Sequence, residues 1–240
     1  MIQGKVVLIT GAARGIGRYT AKTFAAEGAK LAVADILPRD TVCEELRDLG
    51  VEPLSMYTDI RDEAAVAAMM AQVNGHFGRI DVLINNAGIP THVLTERPAI
   101  RDTDKAFWDR IFDTNLGGTF LGTKHAIPYM ERQGAGHIIN LWGGGTPTAV
   151  GSAAYVASKD AIRVFTRFAA EEEREHNICI VAVTPGGQIA TETDPEEVHQ
   201  RVPGLDFVAN RFVLAAQVGM DLSGQTLTLR DGKLIVVPDA

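Results

Sequence analysis

Residues Lys5–Gly17 read KVVLITGAARGIG, and the rest of the chain takes its meaning from this stretch. Val6 to Thr10 is mostly apolar and largely β-branched, the composition of a buried strand. Gly11, Gly15 and Gly17 follow, and an amphipathic run opens with Ile16, Thr20, Ala21, Phe24 and Ala25. Strand, glycine turn and helix form the setting in which an anion rests on free backbone N–H groups at the positive end of a helix dipole. An ordinary βα turn that needs glycine for its φ angles would look the same in isolation. The next strand separates the two. Lys30 to Asp35, KLAVAD, ends in an acid 18 residues beyond Gly17, the place for a carboxylate that hydrogen-bonds the ribose hydroxyls of adenosine. Together the two stretches predict a dinucleotide site.

The remaining sequence keeps alternating strands and helices. Val42, Leu46 and Leu49 mark a short helix that Gly50 can end. Pro53 to Thr58 is strand-like and runs into Asp59-Ile60, and Asp62 can cap a helix with Val66, Met69, Met70, Val73 and Phe77 on one face. That face is read as core packing. Ile80 to Ile84 is a strand leading into Asn85-Asn86-Ala87-Gly88, followed by an irregular stretch from Ile89 to about Thr103. A long helix is expected from Asp104 to about Gln133, interrupted near Gly117-Gly118 and at Pro128. Gly136 to Trp142 is a strand closed by Gly143-Gly144-Gly145, and a second long helix is expected from about Ala153 to His176. Ile178 to Thr184 is the sixth strand, ending at Pro185-Gly186-Gly187, and Thr226 to Leu229 is the last. The polar segment after Gly187, around residues 188–208, is read as a short lid over a site. No repeat or compositional break divides the chain, so residues 1–240 are expected to form a single α/β domain. Its parallel sheet is covered by helices on both faces, and ligands sit at the carboxyl ends of the strands.

With 46 % hydrophobic and 22 % charged residues the chain has the composition of a soluble globular protein. A formal charge of −7 argues against nucleic acid or an anionic membrane as the main partner. Cys43 and Cys179 stand alone, with neither disulfide nor metal-ligand spacing, so no metal is expected. No apolar run is long enough to span a bilayer or serve as a signal segment, so a cytoplasmic protein is expected.

In YVASK, Tyr155 and Lys159 are four residues apart at the start of the second long helix, on one face and within side-chain reach. A free tyrosine, with a pKa of about 10, is a poor base at neutral pH. A nearby lysine charge favours the phenolate and brings it toward the working range. A surface Tyr/Lys pair would have the same spacing, so the pair gains meaning only from the other motifs.

Taken in order, those motifs are TGxxxGxG at Thr10 to Gly17, Asp59-Ile60, NNAG at Asn85 to Gly88 and Asn115 in WDRIFDTNLGGTF. YxxxK at Tyr155 to Lys159, Pro185-Gly186 and SGQTL at Ser223 to Leu227 complete them. In this order the chain resembles the short-chain dehydrogenase/reductase family over nearly its whole length. The resemblance implies a Rossmann sheet of about seven strands that binds a dinucleotide. It implies that Gly11 to Gly17 hold the pyrophosphate, with backbone contacts at Gly15, Arg14 and Ile16. Asp35 takes the adenosine ribose hydroxyls, Ile36, Asp59 and Ile60 lie about the adenine, and Asn86, Ala87 and Gly88 support the central strand beside that ribose. Tyr155 is implied as proton donor or acceptor, and Lys159 as the group that binds the nicotinamide ribose and tunes Tyr155. Asn115 is implied to hold a water in a proton relay, and Pro185, Gly186 and Ile189 to face the nicotinamide. The carboxylate at Asp35 favours NAD over NADP, because it repels a 2′-phosphate.

Three departures stand out. The serine that the family usually carries shortly before the tyrosine, in a stretch like NISS, is replaced in Asn140-Leu141-Trp142-Gly143 by Trp142 or Gly143, depending on where one deletion is placed. The threonine usual after the PG motif falls at Thr191, one residue late, and Pro185 to Ser223 is shorter than usual. These changes bear on catalysis and substrate rather than on the cofactor. The leading expectation is an NAD-dependent enzyme interconverting a small-molecule secondary alcohol and a ketone. The alternative is an NAD-binding regulatory or scaffold protein of the same fold, which the missing serine favours. The resemblance also implies a homo-oligomer, tetramer or dimer, formed by the two long helices, with Phe107, Ile111, Ile162 and Phe165 available for the contact.

Overall fold

The computed structural model describes residues 1–90, 98–143, 151–186, 189 and 204–238. In chain order the elements are β1 (Val6–Thr10), α1 (Gly15–Ala26), β2 (Lys30–Asp35), α2 (Asp40–Asp48), β3 (Leu54–Tyr57), α3 (Glu63–Phe77) and β4 (Val82–Asn85). They continue with α4 (Lys105–Phe112), a π-helical segment (Asp113–Gly117), α5 (Gly118–Gln133), β5 (Gly136–Leu141), α6 (Ala153–Glu172) and β6 (Ile178–Val183). Helix α7 (Leu205–Ala215), β7 (Thr226–Arg230) and β8 (Lys233–Val236) complete the set.

The strands form one sheet in the order β3-β2-β1-β4-β5-β6-β7-β8. It is parallel throughout, except that β8 runs antiparallel to β7. The α/β Rossmann arrangement is therefore as expected, but the strand count is not: an eighth strand, KLIV, was missed. It returns through Asp231-Gly232, whose φ angles of 50° and 73° both suit the tight mirror-image turn that matches strand twist. A DG pair between alternating apolar residues is the sequence signal for that hairpin.

β1 shows why the sheet is buried on both faces. Val7 and Ile9 pack with Phe24, Val42, Leu46 and Phe212, from α1, α2 and α7. Val6 and Leu8 pack with Val66, Met69, Met70 and Met130, from α3 and α5. Successive side chains of one strand thus feed opposite layers, and a strand between two layers reads as a continuous apolar run. The methionines are core, as expected. Chain order reverses between β1 and β4, which opens the crevice at the strands' carboxyl ends.

Asp62 caps α3 by accepting from Ala64 and Ala65 N–H. The expected break near Gly117 is the π segment, whereas Pro128 lies inside α5 without ending it. Pro128 is on the exposed face, where water can serve the carbonyl it leaves without a donor. The second long helix stops at Glu172, and a 3₁₀ turn covers Arg174–His176. Of the lid expected around 188–208, residues 188 and 190–203 lie outside the described residues. Leu205 and Val208 are instead buried in the first turn of α7. The apolar residues expected at an oligomer contact also need correction. Ile111 and Ile162 are fully buried in their own subunit, and Phe107 and Phe165 are half-buried. The exposed apolar groups on α5 and α6 are Phe120, Val164 and Phe168.

Two glycines test this packing in opposite directions. A Cβ on Gly122 of α5 would lie 2.2 Å from Asn85 Oδ1, whereas one on Gly75 of α3 would meet open space. Gly122→Ala is expected to lower stability by about 1–3 kcal/mol through overpacking, and Gly75→Ala to raise it by about 0.5–1 kcal/mol through helix propensity. Urea midpoints of the two variants check both signs.

Candidate active site

The glycine turn after β1 is held by close backbone contacts. A Cβ on Gly17 would lie 2.2 Å from Gly11 O and 2.5 Å from Asn86 Nδ2, and one on Gly11 (φ 67°) would lie 2.7 Å from Ala87 Cα. Asn86 Nδ2 donates to Thr10 O and Gly11 O, both at 2.9 Å, while Thr10 Oγ1 accepts from Asn86 N and Ala87 N at 3.2 Å. The NNAG stretch therefore braces the glycine turn from below. At Gly15 (φ 55°) the space around a notional Cβ is open, and α1 follows Arg14 with no side-chain cap and no acid in its first turn. A dinucleotide pyrophosphate fits this cradle, which offers close backbone approach and no competing negative charge.

Asp35 ends β2 almost fully buried. Its Oδ2 accepts from Ala13 N and its Oδ1 from Leu37 N, both at 2.9 Å. Arg39 donates to the carbonyls of Asp35 and Leu37 and to Ser55 Oγ, so the first cation after β2 is engaged in closing the β2–α2 turn. Ile36 is exposed beside them. Asp59 pairs with Arg61 at 2.6 Å, and that hydrogen-bonded guanidinium holds its carboxyl below the ordinary value. Ile60 packs against Gly118, where a Cβ would come within 2.2 Å of it, so its side chain belongs to the core.

The second half of the site is built on α6. Tyr155 and Lys159 occupy its first turns, and Lys159 is 5 % exposed with Nζ donating to Leu141 O at 3.0 Å. Asn115, fully buried in the π segment, accepts at Oδ1 from Ile89 N (2.7 Å) and donates from Nδ2 to Ser158 Oγ (3.0 Å). Gly88 sits between them: its Cβ would lie 3.0 Å from Asn115 Oδ1 and 3.5 Å from Lys159 Nζ. Gly143 faces Tyr155, with its notional Cβ 3.1 Å from the hydroxyl. Trp142 turns away, its Nε1 donating to Asp160 Oδ1 (3.3 Å) and its ring lying under Arg163. Gly186 (φ 80°) follows Pro185 beside Thr228 and Arg211, and Ile189 packs partly buried against the core. The other loop glycines, Gly144, Gly145 and Gly187, lie outside the described residues, as does Thr191.

The chain matches the family model described as "short chain dehydrogenase" over residues 5–201. It belongs to the short-chain dehydrogenase/reductase family. It is 35 % identical to the 3-oxoacyl-(acyl-carrier-protein) reductase FabG of Staphylococcus aureus, covering 95 % of this chain and 97 % of that protein. It is 36 % identical to the cis-4-hydroxycyclohexanecarboxylate dehydrogenase of Sinomonas cyclohexanicum, with 90 % and 95 % covered. Among solved structures, levodione reductase superposes with a TM-score of 0.84 at 29 % identity, covering 96 % of this chain and 97 % of that one.

As a member of that family the chain is an oxidoreductase, and the open register in the sequence can be resolved: Gly143, not Trp142, faces the tyrosine. Sequence reasoning missed Arg211, which is 2 % exposed beside Gly186. A cation three residues after Val208 and next to Phe212, on the buried side of α7, was its signal. It also missed the ladder in which Asn85 Nδ2 donates to Asn140 Oδ1, and Asn140 Nδ2 to Thr166 Oγ1, each at 2.9 Å.

The expected lowering of Tyr155 by Lys159 is absent. Burial raises the Tyr155 phenol and pushes Lys159 down to about 8. Both groups have lost water, and the lysine ammonium is directed at a carbonyl. The lysine gap, from 10.5 to about 8, corresponds to about 3 kcal/mol carried at neutral pH. That is at or slightly above the roughly 1.5–3 kcal/mol of one hydrogen bond from a charged donor such as this one to Leu141. Because the unfolded chain holds more protons between these pKa values, stability rises with pH across that window. Lys159→Met is therefore expected to melt higher than the parent at about pH 7, with the difference shrinking as pH rises from about 8 to about 10. A melting temperature at or below the parent's at neutral pH would overturn this account.

Proposed function

We propose that the protein is an NAD(H)-dependent oxidoreductase that interconverts a small-molecule secondary alcohol and a ketone. The observation that carries this reading is the meeting of Tyr155, Lys159 and Asn115 at the carboxyl end of β5, with Gly143 facing the tyrosine hydroxyl. NAD, when bound, supplies or accepts the hydride. Gly11, Arg14, Gly15, Ile16 and Gly17 would hold its pyrophosphate, and Asp35 the adenosine ribose. Ile36, Asp59 and Ile60 would lie about the adenine, the last through its backbone, and Asn86, Ala87 and Gly88 beside the ribose. Pro185, Gly186 and Ile189 would flank the nicotinamide. Tyr155 hands a proton to the carbonyl oxygen in reduction and takes it back in oxidation. Lys159 binds the neighbouring ribose, and Asn115 orders a water behind it. NAD is preferred to NADP because Asp35 presents a carboxylate where a 2′-phosphate would sit, while Arg39 is spent on backbone carbonyls.

The names of the two relatives describe reactions at a hydroxyl or carbonyl carbon, which supports the reaction class. A second reading, an NAD-binding regulatory protein with little turnover, draws on Gly143 alone. Loss of one donor to a substrate oxygen costs on the order of 10²–10³ in rate, which slows an enzyme without abolishing it. The same reading makes the enzyme cytoplasmic and a homo-oligomer, tetramer or dimer, and the exposure of Phe120, Val164 and Phe168 on α5 and α6 supports a contact through those helices. Among the described residues no helix is long and apolar enough to cross a membrane.

The test is NADH oxidation against a panel of simple and cyclic ketones, with Tyr155→Phe and Gly143→Ser as variants. Tyr155→Phe is expected to lose turnover while keeping NADH affinity. Gly143→Ser, which needs the phenol to shift by a few tenths of an ångström, is expected to raise turnover on simple ketones roughly tenfold or more. Tight NADH binding with no turnover in either the parent or Gly143→Ser would decide for the regulatory reading. Tighter binding of NADPH than NADH would overturn the cofactor assignment.

A further inference from the structure

Ser158 stands between Tyr155 and Lys159 in YVASK and is fully buried in α6. A serine in a helix interior commonly turns its hydroxyl to its own helix or to solvent. This one bonds in two directions. It donates to the carbonyl of Tyr155 at 2.7 Å and accepts from Asn115 Nδ2 at 3.0 Å. The direction of each bond is fixed by what the partners can do. Ile89 N–H can only donate, so the Asn115 atom facing it at 2.7 Å is the carbonyl oxygen, and the NH₂ must face Ser158. The serine's single hydrogen is then left for Tyr155 O.

The hydroxyl thereby joins three separated parts of the chain: the end of the NNAG loop at Ile89, the π segment at Asn115 and the first turn of α6. Among the described residues, Asn115 Nδ2 has besides Ser158 only a long 3.4 Å contact to Ile89 O. On its other side Gly88 approaches the amide closely, since a Cβ there would come within 3.0 Å of Oδ1. Mid-helix π segments often mark functional positions, and this one is pinned to the helix that bears the tyrosine through one hydroxyl. We infer that Ser158 is a positioning residue of the proton-transfer site. Its hydroxyl fixes the Asn115 amide and holds the Tyr155 turn of α6 against the π segment. The inference rests on the functional reading above for its kinetic consequence, but not for its geometry.

The experiment compares Ser158→Ala, Asn115→Ala and the double variant, with Ser158→Cys as a size-matched substitute should the alanine variant fold poorly. If Ser158 acts through Asn115, Ser158→Ala lowers kcat about tenfold, leaves the KM for NADH within about twofold and adds nothing in the Asn115→Ala background. A serine that only fills space predicts an unchanged kcat at full folding, or losses that multiply in the double variant, and either result overturns the inference. A second readout needs no turnover. In protein labelled with ¹⁵N at asparagine, the Asn115 side-chain NH₂, identified by its disappearance in Asn115→Ala, is expected to exchange with solvent at least tenfold faster in Ser158→Ala. Unchanged exchange refutes the clasp even if kcat falls. A parent without turnover on any ketone defeats the functional reading, and the exchange comparison then decides the clasp by itself.

Discussion

The close approach of the turn after β1 to the loop after β4 governs the rest of the site. Gly17 packs where a single extra carbon would lie 2.2 Å from Gly11 O, and Asn86 fills the remaining gap with two hydrogen bonds from one NH₂. This contact does two things at once. It satisfies carbonyls at the end of β1 that the parallel ladder leaves unpaired, as buried backbone groups require. It also sets the N-terminus of α1 against the strand-order reversal, so the glycine turn and the loop that leads to Gly88 are packed together. Gly88 in turn spaces Asn115 from Lys159. The proposed cofactor and proton-transfer sites therefore adjoin through close backbone packing.

Polar burial at this site is extensive. Asp35, Asn85, Asn115, Asn140, Ser158 and Lys159 are all buried. An unpaired buried polar group costs roughly 1–3 kcal/mol, and each of these has hydrogen-bond partners within the described residues. Lys159 differs from the others because pairing with a neutral carbonyl does not restore the hydration of a charge. Its depressed pKa marks a site that is costly to keep charged, which supports the ligand-binding role proposed for this lysine.

The fold and the strand–turn–helix half of the candidate site were legible because they depend on short-range rules. β-branched runs, glycines at fixed offsets and an acid at the end of β2 place KVVLITGAARGIG and KLAVAD without knowledge of distant contacts. What was missed depends on partners far away in sequence. Pro128 reads as a break, yet its exposed face lets α5 continue. Ile111 and Ile162 read as available, yet both are fully buried within the subunit. Arg211 reads as one more helix cation, but it comes to lie beside Gly186, 25 residues earlier. The lowering expected for Tyr155 failed for a related reason. Residue spacing conveys proximity, whereas burial, which sets the direction here, is a property of the whole fold.

The substitution at Gly143 can be judged by what holds the strand end just before it. Leu141 O accepts from Lys159, and Trp142 N donates to Val183 O at 2.9 Å. The Trp142 indole is tied to Asp160 and covered by Arg163, whose guanidinium also donates to Pro238 O. Residues 141 and 142 are thus fixed from β6, from α6 and from the segment after β8. Gly143 starts from a held position, facing the tyrosine hydroxyl. What glycine changes there is the shape and hydrogen-bonding of the space above Tyr155, while the scaffold that places the tyrosine remains intact. That pattern supports the proposed enzyme over the alternative of a binding protein with little turnover.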